Sequence, residues 1–421
     1  MNYKEFLLEI NSKCAGKNTL QLDNFIRYCN NVNNPQKQLS GIHIGGTNGK
    51  GSTGAMVEAI LFAHGFKVGL NTSPHLVNYQ ERFRLNKKEL SESEILNIYQ
   101  KYHDIMAYCD ISFFEISTAI AFHHFHEVKV DYAIMEVGMG GRLDATKLIN
   151  SEISAITSID FDHTKSLGNR LEKIAWQKAG IIKKNTPTIL GKMSQSAIDV
   201  FFEEARKMQA PVLLVEKEIK TSNIKMEAIG NKLDFTIPKY NLEFKNVYCN
   251  LSGRYQLSNL STAMLICAEL SHKHNWILEE EKVKAGLSRV IWKGRMETIS
   301  ENPKIIVDGA HNPASIEELA YNLCNIYKFK NLVCVISILY DKDYQLMIKK
   351  LSKVVDCFII CQSKSERAAT TIDLSREAEK YKNVIIEKDI KTAIAKAEAI
   401  SSQDDLICVT GSLYTIGEAL K

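Results

Sequence analysis

No stretch of this sequence approaches the roughly 18–20 consecutive apolar residues that a membrane-spanning helix needs, so a helical membrane protein is excluded. Its opening, Met1-Asn2-Tyr3-Lys4-Glu5-Phe6, places charge where a secretory signal would need an apolar segment, and no export signal is expected. The ten cysteines form no C-x-x-C pair and keep no regular spacing, which argues against a zinc ribbon or a disulfide framework and for a reducing compartment. Neither sign of charge dominates: 53 basic residues against 49 acidic ones leave a net +4, too little to imply a nucleic-acid or membrane surface. Internal repeats and low-complexity segments are missing as well. The expectation is a cytoplasmic protein that must hold any anionic substrate with local groups.

What is present is an ordinary globular composition, 45% hydrophobic and 24% charged, over 421 residues, a length that predicts two or three domains. Between residues 41 and 216, short apolar runs alternate with helical patterns, the signature of β-α units and a mainly parallel sheet. The strand candidates are Ile42–Ile44, Val68–Leu70, Tyr132–Val137, Ile153–Ile159 and Thr188–Leu190. Ser91-Glu92-Ser93-Glu94 is a capping box, in which serine and glutamate each satisfy an amide of the first turn, and it opens a helix expected to run to Cys109. A polar, β-rich stretch over 220–250 is read as a small antiparallel elaboration at the sheet edge. Helices are expected over 256–274 and 279–290. After Gly294 the alternation restarts, with strands at Ile305–Val307, Leu332–Ile336, Cys357–Ile360, Val384–Ile386 and Leu406–Val409. The fold expected is α/β: a phosphate-loop unit with a mainly parallel sheet over 1–294, then a smaller Rossmann-like α/β unit over 295–421, joined near Trp292–Glu297.

The segment from Ile42 to Ser52 joins a strand to a helix through Gly45-Gly46-Thr47-Asn48-Gly49-Lys50-Gly51. Glycines let backbone amides approach phosphate oxygens, the helix N-terminus adds its positive dipole end, and a lysine reaches the terminal phosphates. The strict G-x-x-x-x-G-K-[ST] pattern is not met, because Ile44 takes the first glycine position and Ser52 follows the lysine by two; a ligand-free β-α turn is the competing reading. Asn71-Thr72-Ser73-Pro74-His75-Leu76 follows the next strand, either as a contact to nucleotide or metal or as an ordinary turn. Met135-Glu136-Val137-Gly138-Met139-Gly140-Gly141-Arg142-Leu143-Asp144-Ala145-Thr146 carries a glutamate to a strand's end, where a carboxylate suits Mg²⁺. Asp160-Phe161-Asp162-His163-Thr164-Lys165-Ser166-Leu167-Gly168 leads on to Gln177-Lys178-Ala179-Gly180-Ile181-Ile182-Lys183, and Asp308-Gly309-Ala310-His311-Asn312-Pro313 opens the second unit.

In this order, together with Gly294-Arg295-Met296-Glu297, these strings resemble the folylpolyglutamate synthase and dihydrofolate synthase family of the Mur ligase superfamily, from about residue 40 to the end. The resemblance implies an ATP-dependent ligase that adds L-glutamate to a folate carboxylate through an acyl phosphate. It also implies a Mur-type ATP-binding central domain and a C-terminal glutamate-ligase domain, with the site in the cleft between them. By similarity, Gly46, Thr47, Asn48, Gly49, Lys50, Gly51 and Ser52 hold the ATP phosphates, and Ser73, Glu136 and His163 are magnesium ligands. Lys178 matches a lysine that is carbamylated in the family. Asn259 matches the adenine contact, and Arg295, Asp308 and His311 reach the nucleotide from the second unit. Lys50, His163 and Lys178 are the expected catalytic groups, ATP and Mg²⁺ the cofactors, and a folate and L-glutamate the substrates of a monomer.

Tyr255 stands where the family usually has histidine, Lys147 where asparagine is common and Glu366 where proline often precedes Arg367; Thr19-Leu20-Gln21-Leu22-Asp23-Asn24 lacks the usual Gly-Leu-x-Arg wording. The His123-His124-Phe125-His126 run reads as a solvated helix end rather than a metal cluster, and Cys357 and Cys361 as small core residues. Without the family match, Lys178 would be read as a surface lysine. Two other readings compete. A cell-wall Mur ligase would need an additional domain ahead of the phosphate loop, and a non-catalytic ATP-binding module should have lost its metal and transfer residues. Tetrahydrofolate is the expected acceptor, with dihydropteroate as a possible second one.

Overall fold

The computed structural model describes residues 1–13 and 22–421; the unusual Thr19–Gln21 wording lies outside them. Among the described residues, seventeen strands form three sheets. The largest is built from β1 (Gly41–Gly45), β2 (Val68–Asn71), β3 (Phe83–Leu85), β4 (Lys88–Glu89), β5 (Tyr132–Glu136), β6 (Ser151–Ile156), β7 (Thr188–Leu190) and β8 (Val212–Leu214), in the order β4-β3-β2-β5-β1-β6-β7-β8. All its pairings are parallel except those of the β3–β4 hairpin. β1 lies at its centre, and all five of its residues are buried, as expected of a parallel strand covered on both faces.

The helix Lys50–Ala63 follows β1 and is buried from Ser52 to Leu61. It packs in one core with the helices Arg254–His274 and Glu280–Leu287. The same core takes in the inner face of β10 (Gly230–Ile237) and β11 (Leu242–Cys249), through Leu233, Phe235, Phe244 and Val247, while β9 (Lys220–Glu227) pairs with β10 at the exposed edge. This corrects the expectation of an elaboration at the sheet edge: these strands form a separate antiparallel sheet, because their apolar face is covered by the long helix instead of continuing the β8 ladder.

Helices Tyr3–Ser12, Asp23–Asn31, Glu92–Tyr108 and Phe113–Glu127 cover the other face around Phe6, Phe25, Tyr99 and Phe125. Ser91 accepts from the Glu94 amide while the Glu94 carboxylate accepts from the Ser91 amide, so the helix begins where the capping box puts it. The histidine run corrects a second expectation. His123 and His124 are buried, and His123 bonds the Tyr28 hydroxyl at 2.8 Å and stacks on Tyr102 at 3.7 Å. The helix Asp23–Asn31 covers this helix end through Tyr28, and Glu92–Tyr108 through Tyr102.

The third sheet comprises β12 (Glu297–Glu301), β13 (Lys304–Val307), β14 (Leu332–Ile336), β15 (Cys357–Ile360), β16 (Asn383–Ile386) and β17 (Leu406–Thr410), ordered β12-β13-β17-β14-β15-β16 and parallel except for β12. Cys361 is buried beneath it and Cys357 half-buried. No helix among the described residues is long and apolar enough to cross a membrane.

Candidate active site

In open parallel sheets, ligands gather beyond the carboxyl ends of the strands. Both parallel sheets of this protein turn those ends toward one cleft of about 910 Å³. Every residue singled out above for nucleotide, metal or catalysis lines it: the loop Gly46–Ser52 after β1, Ser73 after β2, Glu136 at the end of β5, His163, Lys178 and Asn259, with Arg295, Asp308 and His311 from the other side.

The phosphate loop is held from several directions. Gly49 has φ +85°, and a Cβ there would lie 2.1 Å from Asn259 Oδ1, so both its conformation and its close approach require glycine. Asn259 thus stands over the loop, donating to Gln256, which donates in turn to Ser52 Oγ at 3.3 Å. The Asn48 amide donates to Ser158 Oγ at 3.0 Å. Lys50 Nζ donates to the carbonyls of Gly46 and Thr47, both at 3.2 Å, and lies 3.9 Å from Glu136. Among the described residues Glu136 otherwise receives only the Ser73 amide, at 3.2 Å, and burial raises its carboxyl above the ordinary range. Lys178 is buried, donates to the Gly46 carbonyl at 2.8 Å, and is pushed down to about 7, first by burial and then by the neighbouring Lys50 charge. Burial likewise pushes His163 down to about 4, so its ring is neutral at pH 7 and can accept.

Three contacts close the cleft from the opposite side. Asn48 and Asn312 bond each other, with Asn312 Nδ2 donating to Asn48 Oδ1 at 3.0 Å. Asp162 meets His311 Nε2 at 3.4 Å and forms a short ion pair with Lys342. Burial works to raise Asp162, but the His311 hydrogen bond and the surrounding cationic groups outweigh it and hold the carboxyl well below its usual range. Tyr255 donates its hydroxyl to Asp308 Oδ2 at 2.9 Å, and Asp308 also accepts the amides of Met296 and Ala310. Asp162, Lys342, Asn312 and Gln256 were given no role from sequence. For Lys342 a signal was there: Asp341-Lys342-Asp343 follows closely on β14, at the carboxyl edge where ligands gather.

The donor set fits an anionic polyphosphate with a hard cation. Inward-facing amides and Lys50 supply positive charge, and the cleft extends to an apolar wall at Val215, Ile219 and Leu257 that suits a flat base. Among the described residues, no three His, Cys, Asp or Glu side chains cluster as a self-sufficient metal cage. A cation at Glu136 would complete its shell from hydroxyl, water and phosphate oxygens, the set that Mg²⁺ prefers.

The sequence matches the Mur ligase middle domain over residues 44–267 and the Mur ligase glutamate ligase domain over 294–413. It is 32% identical over 397 residues to a dihydrofolate synthase/folylpolyglutamate synthase of Bacillus subtilis, covering 93% of this chain and 92% of that protein. Mycobacterium tuberculosis folylpolyglutamate synthase complexed with ADP superposes with a TM-score of 0.93 at 29% identity, covering 99% of this chain and 97% of that one. Escherichia coli FolC in complex with DHPP and ADP superposes at 0.90 and 28%, covering 100% and 97%. With the folds, the cleft and both domain matches in agreement, this chain belongs to the folylpolyglutamate synthase/dihydrofolate synthase family of the Mur ligases.

Proposed function

We propose that this protein is an ATP-dependent ligase that joins L-glutamate to the γ-carboxylate of a tetrahydrofolate, and that dihydropteroate is its second acceptor. The observation that carries this reading is the meeting in one cleft of the phosphate loop, Glu136 and Lys178 with Arg295, Asp308 and His311. Residues 1–294 would act as the nucleotide-binding unit and 295–421 as the glutamate-ligase unit of a cytoplasmic monomer.

A carboxylate resists attack by an amine because its charge suppresses electrophilicity and oxide is a poor leaving group. In the first step a carboxylate oxygen bonds to the γ-phosphorus as the bond to the β-γ bridging oxygen breaks, and ADP leaves. In the second, the glutamate amine bonds to the acyl carbon, the carbon–oxygen bond to phosphate breaks, and the amine gives up a proton. Phosphoryl transfer calls mainly for in-line placement and positive charge around the equatorial oxygens. Lys50 supplies that charge from the loop, Asn259 keeps Gly49 and the loop in place, and Arg295 approaches from the other side. Ser73, Glu136, His163 and a carbamylated Lys178 would hold magnesium, which neutralises charge on the transferred group. Lys178 is suited to carbamylation because only a neutral amine attacks CO₂, and its site keeps much of it neutral at pH 7. The Asp162–Lys342 and Asn48–Asn312 contacts shut the cleft against water, to which an acyl phosphate is vulnerable.

The deciding experiment incubates the purified protein with ATP, labelled glutamate and either tetrahydrofolate or dihydropteroate. Labelled product from tetrahydrofolate is expected. Product from dihydropteroate alone would overturn the choice of acceptor, and no product from either would restore the non-catalytic reading.

A further inference from the structure

Beside the main cleft, and sharing Ser73, Glu136 and Arg295 with it, lies a second cavity of about 210 Å³. Its outer walls are the β3–β4 hairpin, with Arg84 and Lys87, and the join between the two halves, with Trp292 and Lys293. Whole small-molecule sites occupy about 300–1,000 Å³. This one therefore has room for a single aminoacyl unit or ring, and not for a pterin with its tail.

The cavity wall is built with care for one side chain. Glu58, fully buried on the phosphate-loop helix, is ion-paired with Arg84 Nη2 at 2.7 Å and accepts the Lys87 amide at 2.7 Å. That carboxylate secures a tight two-residue turn in which Asn86 and Lys87 both have positive φ, 53° and 69°. Lysine rarely adopts this conformation. Its ammonium donates to the Arg289 carbonyl at 3.1 Å and has no carboxylate at ion-pair distance among the described residues. The Arg84 guanidinium sits 5.8 Å over the Trp292 ring, and a Cβ at Gly51 would come within 2.5 Å of the same indole, so the wall continues directly into the phosphate loop.

The charges do not cancel at the outer end. Arg84 is neutralised by Glu58, and Glu81 is engaged by the amides of Leu76, Val77 and Asn78. Glu136 lies at the border with the main cleft, and at the mouth Lys87, which also feels the Glu58 charge, and the exposed Lys293 are joined by one further carboxylate among the described lining residues, the exposed Glu89. A carboxylate-bearing fragment is the ligand chemistry that this size and charge select.

We infer that the cavity receives the terminal glutamyl unit of the acceptor, with Lys87 and Lys293 binding its α-carboxylate while its γ-carboxylate is presented at the Ser73–Glu136 border. The inference rests on the ligase reading above and makes this lysine pair a specificity determinant. An acceptor that already carries glutamate engages both lysines; one whose reacting carboxylate sits directly on a ring has no α-carboxylate to offer them.

The test uses the full-length protein and its Lys87→Gln/Lys293→Gln variant, with tetrahydrofolate and an analogue whose α-carboxylate is a carboxamide. Turnover and equilibrium binding are measured for both acceptors, and KM for ATP reports that the cleft is folded. The parent should favour the acid by about tenfold or more, the scale of a hydrogen bond to a charged group. The glutamine variant should treat acid and amide alike with KM for ATP within about twofold of the parent, and Lys87→Arg/Lys293→Arg should keep the preference. A parent indifferent to the amide, or a glutamine variant that still discriminates, overturns the inference and leaves the ligase reading intact. Failure to bind or ligate either acceptor, with ATP still bound, overturns both.

Discussion

Glu136 and Asp144 lie at opposite ends of one glycine-rich loop, both buried, with burial raising both carboxyls. Their surroundings differ. Asp144 accepts the amides of Gly138, Met139 and Thr146, each at 3.0 Å, and the Thr146 hydroxyl at 2.5 Å. Glu136 has one amide and a lysine 3.9 Å away, with the rest of its capacity turned to the cleft. Burial is therefore common to a carboxylate that organises the loop and to one that awaits a ligand. What separates them is how much hydrogen-bonding capacity the protein leaves unfilled.

The sharpest way to break this contrast is Glu136→Gln. Turnover should fall by about a hundredfold or more, the scale of losing one preorganised electrostatic group, and Lys50→Ala should match it. Stability should not fall with it. A carboxyl whose folded pKa is raised contributes its stability below the unfolded pKa and loses it as pH rises through the folded value. Above that window, the neutral glutamine removes a buried charge, and melting at pH 8 in magnesium-free buffer should come no lower than in the parent. A large drop in Tm with activity retained would merge the two carboxylates into one structural class.

Asp144→Ala makes the opposite prediction. Unpairing the amides of Gly138, Met139 and Thr146 should cost about 2–4 kcal/mol, read from the urea midpoint. A cost below about 0.5 kcal/mol would show that the loop holds its shape without this carboxylate.

Lys178 sharpens the contrast through pH. After CO₂ and metal are stripped, the rate at which activity returns at a fixed concentration of dissolved CO₂ should rise up to about pH 7 and then level off, because the neutral amine is the reacting form. An unperturbed lysine would keep accelerating toward its ordinary pKa of 10.5. That steeper profile would mean the buried environment does not prepare this amine. The smallest effect is expected outside both regions: Ser91→Ala should lose about 1 kcal/mol of stability through its helix cap, with turnover unchanged.

Features encoded within a few consecutive residues were legible in the sequence. The strand-loop-helix around Lys50, the capping box at Ser91 and the apolar runs of β14 and β17 each follow from local chemistry and periodicity. What was missed depends on residues far apart in the chain. Asp162 and Lys342 pair across 180 positions, and neither segment announces the other. His123 reads as a solvated helix end until Tyr28 and Tyr102 are seen to cover it. The β9–β11 strands were recognisable as antiparallel, but their place was decided by the apolar face of the helix Arg254–His274, a tertiary match that no strand pattern contains.

The Asp162–Lys342 pair also bears on how salt should act at the cleft. Both side chains are buried where the two halves meet, so any parting of the halves there would return two opposite charges to water. Dissolved ions stabilise those charges once they are apart but reach them poorly while they are together. We therefore expect ionic strength to act on the door more than on the chemistry. Release of a fluorescent ADP analogue, followed by stopped flow, should quicken as salt is raised, and Lys342→Met should flatten that dependence; an unchanged salt profile in the variant would mean that the halves part somewhere else.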